Sequence, residues 1–152
     1  MVEKLFTIGY EGASLEDFLA NLNIAGVDQL VDIRDFPGSR RKGFSKNALR
    51  EALGAEGIGY EHLKGLGDPK PGRDAARAGR FDEFLAIYTA HFETEVARDD
   101  LLRAVDLVVE KRSCLLCYER DYRSCHRNIV AQRIFEMTGL TVQNLGVRLG
   151  AA

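Results

Sequence analysis

The chain has 152 residues, 45% hydrophobic and 29% charged, which fits a single compact domain with a full core. Its 21 basic and 23 acidic residues give a net charge of -2, unlike a chain built to coat nucleic acid, and no apolar run approaches the roughly 20 residues of a membrane span. Met1 to Tyr10 carries Glu3 and Lys4 where a signal peptide needs a longer apolar stretch, so a soluble, cytoplasmic protein with no membrane partner is expected. The three cysteines, Cys114, Cys117 and Cys125, are odd in number and close together, which suits reduced thiols better than a disulfide framework.

The hydrophobic period alternates along the chain. Leu5 to Ile8 reads as a strand ended by Gly9. Ser14 with Asp17 forms a capping-box pattern for a helix carrying Leu15, Phe18, Leu19 and Leu22 on one stripe and stopping near Gly26. Gln29 to Arg34 is a second strand. Ser45 is placed to cap a helix with Leu49 and Leu53 inward, Gly57 closes it, and Ile58 to Leu63 is a third strand. Lys64 to Arg80 holds Pro69, Pro71 and four glycines and reads as a 17-residue lid or binding loop. Two helices follow, one with Phe81, Phe84, Leu85, Tyr88 and Phe92, the other with Leu101, Leu102, Val105, Val108 and Val109. Cys114 to Tyr118 is a nearly all-apolar strand, and a helix with Ile129, Val130, Ile134 and Met137 runs to Gly139 before a last strand at Thr141 to Leu145. This alternation predicts a single three-layer α/β domain: a mainly parallel sheet of about five strands with helices on both faces.

In such a sheet, the loops leaving the carboxyl ends of the strands form the natural crevice. Here they collect Tyr10 and Glu11; Arg34, Asp35, Ser39, Arg40, Arg41 and Lys42; His62 and Lys64; and Tyr118 to Arg127. The opposite loops offer little beyond Asn23, Asp28, Glu56, Lys111 and Arg112. Charge follows the same division: Arg34 to Lys46 has five basic residues against Asp35, a local +4, and Glu93 to Glu110 has six acids against two arginines, a local -4. Arginine presents a planar fork of donors suited to phosphate or carboxylate, so Arg34, Ser39, Arg40 and Arg127 are candidate anion ligands, with Tyr10 and Cys117 on the same rim.

The stretch from Cys117 to Arg127 joins a buried strand to a helix and is the most informative in the chain. Along the strand Cys117 and Glu119 share one face while Cys114, Leu116 and Tyr118 share the other. Cys125 falls at or near the first turn of the next helix, where the dipole and neighbouring His126 and Arg127 favour a thiolate; it is a candidate nucleophile, or else a small buried apolar residue. Zinc is disfavoured because Cys114 and Cys117 sit on opposite faces, and no metal is predicted. A redox pair between Cys117 and Cys125 requires the loop to fold back. Asp32 and Glu119 end apolar runs and need a cationic partner, which Arg34 or Arg127 can supply; Glu119 then serves as a general base or as a clamp. His126 and His62 are candidate proton carriers near neutral pH, against packing roles. Gly9-x-x-Gly12 is too short for a dinucleotide fingerprint and no Walker loop occurs, so no cofactor is expected.

Taken together, Thr7-Ile8-Gly9-Tyr10-Glu11-Gly12, Leu30-Val31-Asp32-Ile33-Arg34 with Pro37 and Ser39-Arg40, Gly43-Phe44-Ser45-Lys46, Gly57-Ile58, Leu66-Gly67, and Leu115-Leu116-Cys117 with Glu119 and Cys125-His126-Arg127 resemble a known family, the bacterial and archaeal proteins catalogued as domain of unknown function 488. The resemblance runs along nearly the whole chain and implies an α/β fold with a shared polar rim rather than a particular reaction. Two positions depart from it: Asn144 stands where members often carry a histidine on the last strand, and Tyr122 where they often carry proline. The residues point to an enzyme or binding domain for a phosphate-bearing small molecule or a nucleic-acid end, with Cys125 at the reacting centre. The alternatives are a thiol-based redox or metal-responsive protein and a non-catalytic interaction module.

Overall fold

Five strands lie parallel in one sheet, the three central ones buried, and the helices between them carry the return crossovers. The computed structural model describes residues 1–152. In chain order the elements are β1 (Lys4–Gly9), α1 (Leu15–Ala25), β2 (Gln29–Asp32), α2 (Lys46–Ala55), β3 (Gly59–His62), α3 (Lys70–Arg77), α4 (Phe81–Phe92), α5 (Glu95–Glu110), β4 (Ser113–Cys117), α6 (His126–Thr138) and β5 (Thr141–Leu145). The strand order is β3-β2-β4-β1-β5, with every neighbouring pair parallel.

Alternation along the strands divides the core in two. Phe6, Ile8, Leu30, Cys114 and Leu116 pack under α1 and α2 with Phe18, Leu22, Leu49 and Leu53. Leu5, Val31 and Leu115 face the other way, against Tyr88, Ala104, Val130 and Ile134 of α4, α5 and α6. The three-layer α/β arrangement expected from the periodicity is present. No helix is long and apolar enough to cross a membrane.

Local signals explain most boundaries. Ser14 accepts a hydrogen bond from the Asp17 amide at 3.1 Å, and Gly26 takes the left-handed cap at φ 71°. Ser45 stands at the start of α2, but its side chain makes no cap; it accepts from the Ser39 amide and donates to the Ser39 carbonyl, tying down the loop before the helix. The largest correction concerns residues 64–80, expected as a long loop. They form a 3-10 turn at Lys64–Leu66 and then α3. Pro69 precedes the helix and Pro71 lies in its first turn, where a missing N–H costs nothing. Gly67 approaches the Asp35 backbone too closely for any Cβ, so this segment is packed down onto the loop after β2 rather than hinged over it.

Candidate functional site at the carboxyl rim of the sheet

The end of β2 supplies a buried ion pair. Asp32 and Arg34 are joined fork to fork, with Nη2 2.7 Å and Nε 2.9 Å from the two carboxylate oxygens, and the Tyr60 hydroxyl donates to Asp32 at 2.5 Å. Burial works against the Arg34 charge, but the bonds and charge of Asp32 outweigh it and hold the guanidinium protonated more firmly than usual. Burial and then the Asp32 charge push the Tyr60 phenol up. The remaining Arg34 nitrogen donates to the Phe44 carbonyl at 2.8 Å and to the Tyr10 hydroxyl at 3.3 Å. Tyr10 stacks on Phe44 at 4.5 Å and meets Tyr118 edge-on. Arg34, expected to hold an external anion, is therefore first a strut that fixes the loop from Phe36 to Phe44.

The loop so fixed forms one wall of a cleft of about 570 Å³. Five arginines line it: Arg34, Arg40, Arg41, Arg73 and Arg77. Ser39, Tyr10, Tyr118 and Phe36 complete most of the lining, and no carboxylate is among the lining residues. Phe36 is 70% exposed although apolar, and Tyr118 is exposed beside it in the same cleft. Arg40 and Arg77 are exposed; Arg73 is bound to Asp35 at 2.8 Å, and Arg41 donates to the Ala13 carbonyl. Arg73 and Arg77 had no place in the reading of the sequence. They lie four apart on α3, a helical spacing masked by the surrounding prolines and glycines.

The second half of the rim is built around Arg127, which is 0% exposed. Its Nε donates to Thr7 Oγ1 at 3.1 Å, Nη1 to Cys117 Sγ at 2.9 Å and to the Glu119 carbonyl, and Nη2 to the Arg120 carbonyl at 3.1 Å. Burial pushes its pKa down. Arg127, expected to grip an external anion, has its donors engaged within the chain and braces the segment that follows β4. The Thr7 hydroxyl donates in turn to Asn144 Oδ1 at 2.5 Å, so Asn144, which stands where the resemblance places a histidine in other members, terminates this chain of bonds as an acceptor. Glu11 holds the same segment from outside, its amide donating to the Tyr118 carbonyl and its carboxylate accepting from the Arg120 amide.

Folding the segment back in this way places Cys125, the residue capping α6, against Cys117 at the end of β4, and their sulfurs are bonded to each other. The expectation of three reduced thiols is corrected: Cys114 alone is free, and it is buried on the opposite face of the sheet, where burial pushes its thiol up. His126 Nε2 donates to the Ile33 carbonyl at 2.7 Å, an arrangement that leaves Nδ1 unprotonated, 3.6 Å from Cys125 Sγ. Burial lowers the His126 pKa to about 4 against the opposing Ile33 bond, so the ring is neutral at physiological pH. The ligand atoms of Cys117, Cys125 and His126 all lie within 4.8 Å of one another. Glu119 is partly buried, and burial raises its carboxyl above the ordinary range despite Arg127. His62 lies apart: its Nε2 donates to the Arg34 carbonyl at 2.7 Å, and it makes no hydrogen bond to either cysteine. Of the residues singled out, the structure thus gathers Tyr10, Arg34, Ser39 and Arg40 around the cleft and Cys117, Glu119, Cys125, His126 and Arg127 around the sulfurs, with Tyr118 bridging the two groups.

Asp68 had no place in the reading of the sequence either. It is buried beside Gly72, whose missing Cβ leaves room for the carboxylate, and its Oδ1 has no hydrogen-bond partner. Burial, and then the negative field of Glu119 with a smaller one from Asp35, raises its pKa from 3.8 to about 7, against the attraction of Arg73. The folded state therefore keeps a proton that the unfolded chain releases near pH 4, so the stability this proton confers is complete below pH 3.8 and is lost as pH rises through about 7. Asp68→Asn, which abolishes that titration, is expected to match the parent at pH 4 and exceed its stability by roughly 2 kcal/mol at pH 8.5 in urea unfolding. Equal stabilities at both pH values would show that Asp68 is hydrated.

A family model described as Domain of unknown function DUF488 matches residues 14–134, most of the chain. No curated protein and no solved structure matches it.

Proposed function

The chain belongs to the DUF488 family, and we propose that its rim binds a phosphate-bearing ligand with an aromatic base, a nucleotide or a single-stranded nucleic-acid end. The observation that carries this reading is the cleft in which five arginines meet an exposed Phe36 and Tyr118 without one carboxylate in the lining. Guanidinium groups match phosphate oxygens in pairs, and exposed aromatic faces stack a base without regard to its identity. Arg40 and Arg77 supply the primary contacts because their donors are not engaged by carboxylates. Arg34 and Arg73, neutralised by Asp32 and Asp35, position the loop. An overall charge of -2 confines the attraction to this cleft, so the ligand is short.

Fluorescence titration with nucleotides and short oligonucleotides across salt concentrations tests this. Three or four phosphate contacts to a single strand give a log-log slope of roughly -2 to -3, and Arg40→Ala with Arg77→Ala lowers the affinity and flattens the slope by about 0.7 for each contact removed. A flat salt response, or binding indifferent to both substitutions, overturns the reading. A second reading, thiol redox chemistry, is favoured by the bond between Cys117 and Cys125 beside the Arg127 guanidinium. Guanidinium stabilises a thiolate leaving group at Cys117, which favours exchange. Counting one reactive thiol in the unfolded native chain and three after reduction supports it; three before reduction rejects it.

A further inference from the structure

We propose that, in the reduced state, Cys117, Cys125 and His126 form a binding site for a zinc-type divalent cation, with a fourth position open to water or an exogenous ligand. This goes beyond the phosphate reading and does not depend on it. The three ligand atoms lie within 4.8 Å of one another and come from two elements, the end of β4 and the start of α6. Tetrahedral zinc with Zn–S of about 2.3 Å and Zn–N of about 2.0 Å sets its sulfur and nitrogen roughly 3.6 Å apart. Cys125 Sγ and His126 Nδ1 stand 3.6 Å apart. The tautomer is also correct: with Nε2 donating to the Ile33 carbonyl, Nδ1 offers its lone pair toward the sulfurs, the outer-sphere arrangement usual for a ligating imidazole. Arg127 Nη1, 2.9 Å from Cys117 Sγ, is a ready N–H donor to a metal-bound thiolate.

Two thiolates and a neutral imidazole are a soft donor set, which selects zinc-type cations over magnesium or calcium. Cys114 is excluded by the sheet between it and the cluster. The segment 118–124, in which Tyr118, Arg120, Asp121 and Arg123 are exposed, links the two cysteines at the surface of the protein. The metal-bound and disulfide forms are mutually exclusive. Cleavage of the sulfur–sulfur bond takes two electrons and two protons to give two thiols, and binding the cation then releases both thiol protons to the buffer.

The test uses the whole chain reduced by a trialkylphosphine, which becomes the phosphine oxide as water supplies the oxygen and the two protons. After anaerobic desalting, Co2+ is added as a spectroscopic probe and Zn2+ is titrated in competition with a chromogenic chelator. The expected result is one equivalent of Co2+ with tetrahedral ligand-field bands and a thiolate charge-transfer band, both displaced by one equivalent of Zn2+. The disulfide form of the same protein should show neither band. Cys125→Ser and His126→Asn should each weaken Zn2+ binding at least 100-fold, and Cys114→Ser should leave it unchanged. Absence of the charge-transfer band in the reduced parent overturns the proposal without reliance on any variant, and so does equal binding by the disulfide form. Because no phosphate ligand is present, this outcome leaves the cleft reading standing, and loss of nucleotide binding leaves the metal site standing.

Discussion

Asp32→Asn is expected to destabilise the fold by roughly 3–5 kcal/mol although it changes almost no volume. The substitution leaves the Arg34 guanidinium buried without its counter-charge, and the Tyr60 hydroxyl loses a carboxylate acceptor. Desolvation of an unpaired cation is the dominant penalty, because Arg34 cannot escape by deprotonation. Replacing both partners by apolar residues of similar size, Asp32→Leu with Arg34→Met, removes the charge together with its partner and should stay within about 2 kcal/mol of the parent. Urea unfolding of the two single variants and the double variant gives the coupling directly. A loss below 1 kcal/mol for Asp32→Asn would mean that water reaches the pair. The double variant also separates stability from binding: without Arg34 the Phe44 carbonyl and the Tyr10 hydroxyl lose their donor, so the wall of the cleft loosens. Affinity for a nucleotide should then fall in a protein that still folds.

How far such sites can be read from sequence depends on what each residue must do locally. The central strands were legible because a parallel strand buried on both faces is nearly all apolar, as in Leu5–Ile8 and Cys114–Cys117. That Asp32 needs a cation was legible as well, since a carboxylate ending an apolar run must be paired; Arg34 and Arg127 were both open to it, and the structure gives it Arg34. α3 was not, because two prolines and four glycines signal a loop in isolation, while here each has a compatible place: Pro71 in a first turn, Gly72 beneath the Asp68 carboxylate, Gly67 against the Asp35 backbone. With α3 went Arg73 and Arg77, two of the five arginines of the cleft. The inward turn of Arg127 was hidden for a different reason. A basic residue at the start of a helix beside a cysteine and a histidine has the same local pattern whether it faces solvent or turns inward. Only the return of the segment 118–124 over β1 decides that it meets two carbonyls, a sulfur and a hydroxyl. That return also brings Cys125 to Cys117, so the sulfur pair and the buried arginine are one event of folding that no spacing rule contains.

Gly9 is the residue that permits this return, and Gly9→Ala is expected to destabilise the fold by about 3 kcal/mol or more. A Cβ there would stand 2.9 Å from Arg127 Nη1 and well under 3.0 Å from the Glu119 carbonyl, a backbone group that cannot swing aside as a side chain does. Either β1 shifts against β4, where Gly9 is in register with Cys117, or the segment after Cys117 lifts off. In the second case the Glu119 carbonyl leaves Arg127, and the guanidinium keeps Thr7 and Cys117 but gains an unpaired buried N–H. The neighbouring Gly12 provides the contrast. It has φ 76° with nothing within 4 Å of its missing Cβ, so Gly12→Ala costs only the left-handed conformation, about 1–2 kcal/mol. Urea unfolding measures both losses, and alkylation after reduction reports the site itself. Gly9→Ala should expose Cys117 and Cys125 to a maleimide at least tenfold faster than the parent, whereas Gly12→Ala should not. If both variants lose equal stability and label at the parental rate, the close approach of the Glu119 carbonyl to β1 is not what holds the sulfur pair in place.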